Sequence, residues 1–450
     1  MARVPLKERP TESEAAEQEA SEPRALRYLP RTFDSLRFGP FRWYMGALIW
    51  WNAAMSMQML VRGYLTYDLT GSFAALGIVG LGSAIPMLFL SPVGGVIADR
   101  SSRRVVLQIG QAFSLLIALA VALLVFTGAI HFWHLFVAAI AQGTMMALVM
   151  PSRQALLPEV VGLRRLVNAI PLQSASMNLM QIIGPAIGGF MIDWIGSGSV
   201  YLLMAVMYGM SVFMLFFVHS LSLEEQEAEA TNDAARKSFR RARSGRRGSG
   251  GSAFSDLLSG LKYLRQNPIL FSVISFAFLG SVLGMPIRRM LPGYVADIFS
   301  DSGSALGLIS MGMGIGALAG ALILATLNLS RRRGLIFAGT AVTMGIGLLL
   351  FSLTGIFWFA FVSMMAVGIG STGRQALSQM LIQDYVEEEY RGRVMSVYMM
   401  QISMMNVGAF LVSLYMDLVG PQVAVGSLGV MLLITTGLFI TFVPRFRTLD

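Results

Sequence analysis

GGVIADRSSRR, residues 94–104, lies where one long apolar segment ends and the next begins. A helix that ends in Gly95-x-x-x-Asp99-Arg100 and restarts after Arg103-Arg104 makes a short charged turn. Such turns belong in water, so the apolar segments on either side are read as membrane helices meeting at a bilayer surface. In the second half of the chain NLSRRRGL, residues 328–335, occupies the matching place between two apolar segments. The turn and its worn copy imply two related halves, each with a basic hairpin after its second helix.

Composition supports a membrane chain. Charged residues make up 13% of the 450 residues, roughly half the ~25% of a soluble domain. Hydrophobic residues reach 55%, with 28 Phe and 31 Met, more apolar surface than a soluble fold of this length hides. Apolar spans run at 43–67, 73–97, 104–127, 132–151, 170–194, 199–219, 268–296, 304–327, 334–354, 356–380, 393–416 and 422–443. Each is near the ~20 residues that cross a bilayer. An even number of spans puts both termini on one side. The arginines at 100, 103, 104, 164, 165, 236–247, 331–333, 391, 393, 445 and 447 fall on that side. The opposite loops, 68–72, 128–131, 195–198, 297–303, 355 and 417–421, contain neither Lys nor Arg. The positive-inside rule then predicts cytoplasmic termini. The net charge of +9 is thereby a matter of topology, with no nucleic-acid partner expected. The absence of Cys excludes disulfides, thiolate metal sites and cysteine nucleophiles.

The expected organisation is a flexible acidic tail (1–38) without the apolar core of a signal peptide, a first six-helix bundle (39–220), and a linker (221–253) that opens acidic and turns basic and Gly-rich. A short amphipathic surface helix (254–267), a second six-helix bundle (268–443) and a tail (444–450) follow. The fold class expected is all-α and integral to the membrane, with twelve crossings in two pseudo-symmetric bundles. Internal matches back the repeat. Arg153-Gln154-Ala155-Leu156 recurs as Arg374-Gln375-Ala376-Leu377, Ala75-Leu76-Gly77 as Ala305-Leu306-Gly307, and Asp193 with Gly196 as Asp417 with Gly420. Their common order and nearly constant offset argue for parallel repeats.

Over residues 39–445 the chain resembles the major facilitator superfamily of transporters. Gly95-x-x-x-Asp99-Arg100-x-x-Arg103-Arg104 matches that superfamily's pattern between its second and third helices, with Ser102 where a glycine is usual. Within it, TYDLTGS (66–72), ALLPEVVGLRRLVNA (155–169), GPAIGG (184–189) and EEYRGRVMSVY (388–398) look most like bacterial exporters of enterobactin-type siderophores and of macrolides. GPAIGG also resembles part of an antiporter-associated motif, with Met180 in place of its earlier glycine. The resemblance implies alternating access in a bacterial inner membrane, with crossings one and seven lining a central cavity.

The candidate residues fall into three groups. Gly95, Asp99, Arg100, Arg103 and Arg104, with Arg391 and Arg393 as partners from the other half, are the expected gate: a carboxylate there can accept from a helix start in one state only. Arg62, Arg288 and Arg289 lie inside crossings one and seven, where a charge is costly and usually functional. Guanidinium groups there suit a carboxylate or phosphate. The bland alternative is snorkelling to the interface with Asp68 or Asp297 as counter-ion. Gln58, Gln142, Asn178, Gln181, Gln401 and Asn406 are the further cavity candidates, each equally able to act as interhelical glue. Arg153 and Arg374, at helix ends, are expected to snorkel or anchor loops. The methionines read first as gap fillers and second as a soft lining for bulky molecules.

No Asp, Glu, His or Lys lies near the middle of a span. Asp68 and Asp193 are the carboxylates available for coupling to a proton, and a counter-anion is the other coupling partner in view. No metal and no cofactor is expected. An integral-membrane enzyme is disfavoured, because the three His sit at helix ends and no mid-membrane carboxylates pair. The expected function is export of a small amphipathic molecule, an anionic one suiting the arginines, by a monomer in the lipid bilayer. The alternative is an organic-anion or phosphate-ester exchanger using the arginines of crossings one and seven. A sensor or scaffold working through the tail or linker is a further option.

Overall fold

The structure, a computed structural model, describes residues 38–218, 253–299, 302–327, 333–388 and 390–442. The acidic tail, nearly all of the linker and the C-terminal tail lie outside these residues, as do Arg236–Arg247, Arg331 and Arg332. The described helices are α1 (Gly39–Thr70), α2 (Phe73–Arg100), α3 (Arg103–Phe126), α4 (Phe132–Leu215), α5 (Ala253–Gln266) and α6 (Pro268–Gly284). They continue with α7 (Ile287–Ile298), α8 (Gly303–Thr326), α9 (Arg333–Ser352), α10 (Phe357–Tyr385), α11 (Arg391–Val419) and α12 (Pro421–Phe442).

Glycine sets the folding of the long α4. Gly162 and Gly196 break its helical dihedrals, dividing it into crossings four, five and six. Gly196 has φ 80° and ψ 163°, a conformation only glycine adopts without strain. Gly420 repeats it between α11 and α12 with φ 84° and ψ 154°. Crossing seven is broken differently. Pro286, which has no N–H to donate, separates α6 from α7, and the new helical turn begins with Ile287-Arg288-Arg289.

Nine described helices are long and apolar enough to span a bilayer. The stretch Asn168–Leu215 folds back at Gly196 into two crossings. Helices α1 and α10 complete the twelve-crossing fold. Their hydropathy is lowered by Asn52 and Gln58, and by Ser371, Arg374 and Ser378, all turned into the protein interior, where such groups find partners that lipid cannot supply.

Burial reveals which end of the molecule is shut. One cluster joins both halves, running from Trp51, Leu65 and Phe73 to Tyr294, Ile309 and Met416. Towards the end that carries Asp99 the core divides in two. Phe41, Tyr44 and Leu107 belong to one cluster, and Phe337, Leu381 and Tyr398 to another. Each half also has its own pin there: Arg103 to Glu159 at 2.6 Å, and Arg333 to Asp384 at 2.5 Å. The halves therefore share a core at the arginine-poor end and hold separate cores at the arginine-rich end. Surface helix α5 docks beside α11, with Tyr263 stacked on Tyr390 at 4.3 Å between ring centres. Lys262 and Arg265 remain exposed.

Candidate functional site

At the shut end the halves meet through glycine. Gly189 of crossing five packs against Gly303 and Gly307 of α8, and Gly77 of α2 packs against Phe410 and Ser413 of α11. Small residues allow this approach, which packing forces then stabilise where lipid offers no hydrophobic drive. Two aspartates seal the seams. The Asp193 carboxylate accepts from Gly303 N–H at 2.7 Å, Ser304 N–H at 2.8 Å and Ser302 Oγ at 3.0 Å. The Asp417 carboxylate accepts from Phe73 N–H at 2.8 Å, Ala74 N–H at 2.9 Å and Ser72 Oγ at 2.8 Å. Each aspartate caps a helix start in the opposite half, satisfying orphan amides and meeting the positive end of the helix dipole. Tyr67 Oη also donates to Asp297 at 2.5 Å across the boundary. Asp297 is thus occupied by a hydroxyl, and Asp68 is exposed at the end of α1 with no arginine partner among the described residues.

Beneath this closure lies a cavity of about 290 Å³. Its apolar wall includes Met55, Met59, Met87, Met146 and Met405, and its polar groups include Gln58, Arg62, Gln142, Arg289 and Asn406. Arg62 comes from the first half and Arg289 from the second. Arg62 stands beside the fully buried Tyr201 and Tyr208, and Tyr208 Oη donates to Gln58 Oε1 at 3.1 Å. Gln142 Nε2 donates to Ser114 Oγ at 3.3 Å. The Arg289 guanidinium crosses to Gly80 of α2, where any side chain would collide with it, and donates to Asn406 Oδ1. Among the described residues no carboxylate pairs with Arg62, Arg288 or Arg289; the ion pairs are Arg103–Glu159 and Arg333–Asp384.

The remaining cavity candidates lie elsewhere. Arg288 leaves the helix on a different side and donates through Nη2 to Gln181 Oε1 of crossing five at 3.3 Å. Asn178 is exposed one turn away. Gln401 is buried inside the second half, accepting from Ser281 Oγ at 3.0 Å. Arg153 and Arg374 depart from the snorkelling expected of them: both are buried. Arg153 stacks over Trp51 at 4.1 Å and reaches Asn52 Oδ1 at 3.3 Å. Arg374 donates to Ala277 O at 2.8 Å. The reason is local: each finds a partner on the first helix of its own half, a ring face or a carbonyl, that replaces water.

At the arginine-rich end the expected gate residues stand apart. Asp99, Arg100 and Arg391 are exposed, and Arg393 lies over the Tyr390 ring at 5.4 Å. Gly95 has no neighbour within 4 Å of where a side chain would begin. Arg103 and Arg104 are bound within the first half, Arg103 to Ala155 O at 3.0 Å as well as Glu159, and Arg104 to Val218 O at 2.8 Å and Phe216 O at 2.9 Å. Sequence reading missed Tyr201, Tyr208 and the cross-half roles of Asp193 and Asp417. The recurrence of Asp193 as Asp417, with Ser72 and Ser302 opening the helices they cap, was the available signal.

The family model described as Major Facilitator Superfamily matches residues 43–403 and, overlapping them, 290–448. The Staphyloferrin A transporter of Staphylococcus aureus is 23% identical, over 77% of this chain and 81% of its own. The multidrug efflux pump Tap of Mycolicibacterium fortuitum is 24% identical, over 92% and 97%. Macrolide efflux protein A of Streptococcus pyogenes is 24% identical, over 83% and 89%. Among solved structures, a POT family transporter in complex with 5-aminolevulinic acid superposes with a TM-score of 0.67 at 12% identity, over 91% of this chain and 96% of that one. The nucleoside transporter NupG gives 0.65 at 13%, over 91% and 98%.

Proposed function

Since the chain belongs to the major facilitator superfamily, a multi-pass membrane transporter and not an enzyme, we propose that it exports a small amphipathic anion across a bacterial cytoplasmic membrane by alternating access. The observation that carries this reading is the placing of Arg62 and Arg289, one from each half, on a single methionine-lined cavity that holds no carboxylate. An uncompensated guanidinium inside a membrane protein is costly. An anionic headgroup relieves that cost through bidentate, charge-assisted hydrogen bonds. The thioethers of Met55, Met59, Met87, Met146 and Met405 suit an apolar body of variable shape.

With the arginine-rich end in the cytoplasm, as the positive-inside rule has it, this conformation opens the cavity to the inside while Asp193 and Asp417 hold the outer seams closed. Transport then requires the outer contacts to release and the Asp99 end to close on the start of α11. The similarity to a staphyloferrin A transporter, a multidrug pump and a macrolide efflux protein supports efflux. A second reading, an organic-anion or phosphate-ester exchanger, is favoured by the lack of any carboxylate on the cavity to carry a proton.

Thermal stabilisation of the purified protein by anionic, neutral and cationic amphipaths tests the first reading, since a ligand for the folded form raises apparent stability by mass action. Stabilisation by anions that is lost in Arg62→Gln and Arg289→Gln supports it. Stabilisation only by neutral or cationic compounds, unchanged in both variants, overturns it.

A further inference from the structure

Arg288 and Arg289 are consecutive on α7 yet serve different places. Arg289 reaches Gly80 of crossing two and Asn406 of crossing eleven. Arg288 reaches Gln181 of crossing five. Crossings five and eleven are the pseudo-equivalent pair that carry Asp193 and Asp417, and Gln181 and Asn406 lie at nearly the same distance before those aspartates in sequence.

Each arginine also sits just past the glycine contacts of a seam. Contact between crossings five and eight runs from Gly189 and Gly303 down to Ile182 against Gly314, and Gln181 is the next residue along. Contact between crossings two and eleven runs from Asp417 and Ser72 down to Phe410 against Gly77, and Asn406 lies one turn further. The break at Pro286 is what starts a fresh helical turn at this level. Both guanidinium groups are half-buried, each is bonded to a neutral amide, and neither has a carboxylate partner among the described residues. A guanidinium has five N–H donors, so an amide oxygen leaves most of that capacity and all of the charge unspent.

We infer that the transporter has two separate anion seats, Arg289 with Arg62 at the foot of one seam and Arg288 at the foot of the other, and that its cargo class is molecules with two anionic groups held apart by a spacer. This rests on the anionic reading of the cavity and goes beyond it, because Arg288 lies outside the methionine-lined cavity. A monoanion fills the first seat alone. A dianion bridges both, making a second set of charge-assisted bonds.

The test measures binding of hexanoate, adipate, octanoate and suberate to the purified full-length protein by calorimetry or thermal shift. The expected result is that each diacid binds at least about tenfold more tightly than the monoacid of equal length, a difference of about 1.4 kcal/mol. Arg288→Gln reduces diacid affinity to the monoacid level and leaves the monoacids unchanged, whereas Arg289→Gln weakens both. Gln181→Glu, which keeps the side-chain shape and offers Arg288 an internal carboxylate, does the same as Arg288→Gln and serves if that variant folds poorly. Equal affinity for mono- and diacids, with no effect of Arg288→Gln or Gln181→Glu, overturns the second seat and leaves the anionic reading standing. No binding of any acid, or binding indifferent to Arg289→Gln, overturns both.

Discussion

Across the boundary between the halves the Asp193 carboxylate accepts the backbone N–H of Gly303 at 2.7 Å. Asp417 returns the same contact from the second half, accepting from Phe73 at 2.8 Å. Both link the last turn of one helix to the first turn of another, at the end where the two halves share a core.

Breaking these contacts should open that end. A hydrogen bond to a charged acceptor contributes about 1.5–3 kcal/mol, and 1.4 kcal/mol shifts an equilibrium about tenfold. Asp193→Asn and Asp417→Asn should each raise the open population about tenfold, and the double variant should exceed either. The chain has no Cys, so Ser83→Cys, on the cavity wall, reports without background. Its labelling by a membrane-impermeant maleimide added outside cells should rise in that order. Labelling as slow as in the parent would show that the aspartates do not control closure.

A methyl group at the seam should act in the same direction by bulk. A side chain at Gly307 would begin 2.6 Å from Pro185 O, too near to fit without displacing backbone. Gly307→Ala should cost about 1–3 kcal/mol of packing in this state and increase outside labelling of Ser83→Cys. Gly339→Ala, where nothing lies within 4 Å, should leave both the melting temperature and the labelling unchanged.

Asp99→Asn should behave otherwise. Asp99 is exposed at the parted end, so its charge contributes to the opposite state. The variant should bind ligand normally and melt normally, while transport in proteoliposomes falls severalfold. Loss of binding with normal expression would remove Asp99 from the gate.

Asn406→Asp should supply Arg289 with a permanent partner. The change is nearly isosteric and converts an amide contact into an ion pair, so thermal stability should hold or rise. Affinity for octanoate should drop about tenfold, the size of one competing charge-assisted bond. Unchanged affinity would mean that Arg289 does not face the ligand.

Crossing positions, the twofold repeat and the charged turn at Asp99 were readable because each depends on residue spacing along the chain. What a helix buries was not. A membrane helix is apolar all round, so its pattern does not fix which way it faces. Arg153 and Arg374 illustrate this: at helix ends they read as snorkelling groups, yet Trp51 and Ala277 draw them inward. Arg288 and Arg289 read as one paired site, but adjacent helical residues point about 100° apart, from 3.6 residues per turn, and find different partners. Asn178 and Gln181 share a face in sequence, yet only Gln181 meets an arginine. Gln58, Arg62, Gln142, Arg289 and Asn406 do come together on one cavity; membership of that set was decided by tertiary packing.

Each half carries both parts of the outer contact, one carboxylate and one helix start. The surface each presents is therefore self-complementary, the arrangement of an isologous interface about a two-fold axis. Two identical six-helix chains meeting around such an axis would make one such contact twice, giving the same pair with no further residue required. A closure of this design could precede the joining of the halves into one polypeptide, and asymmetry need enter only below it, where crossing seven alone supplies the paired arginines.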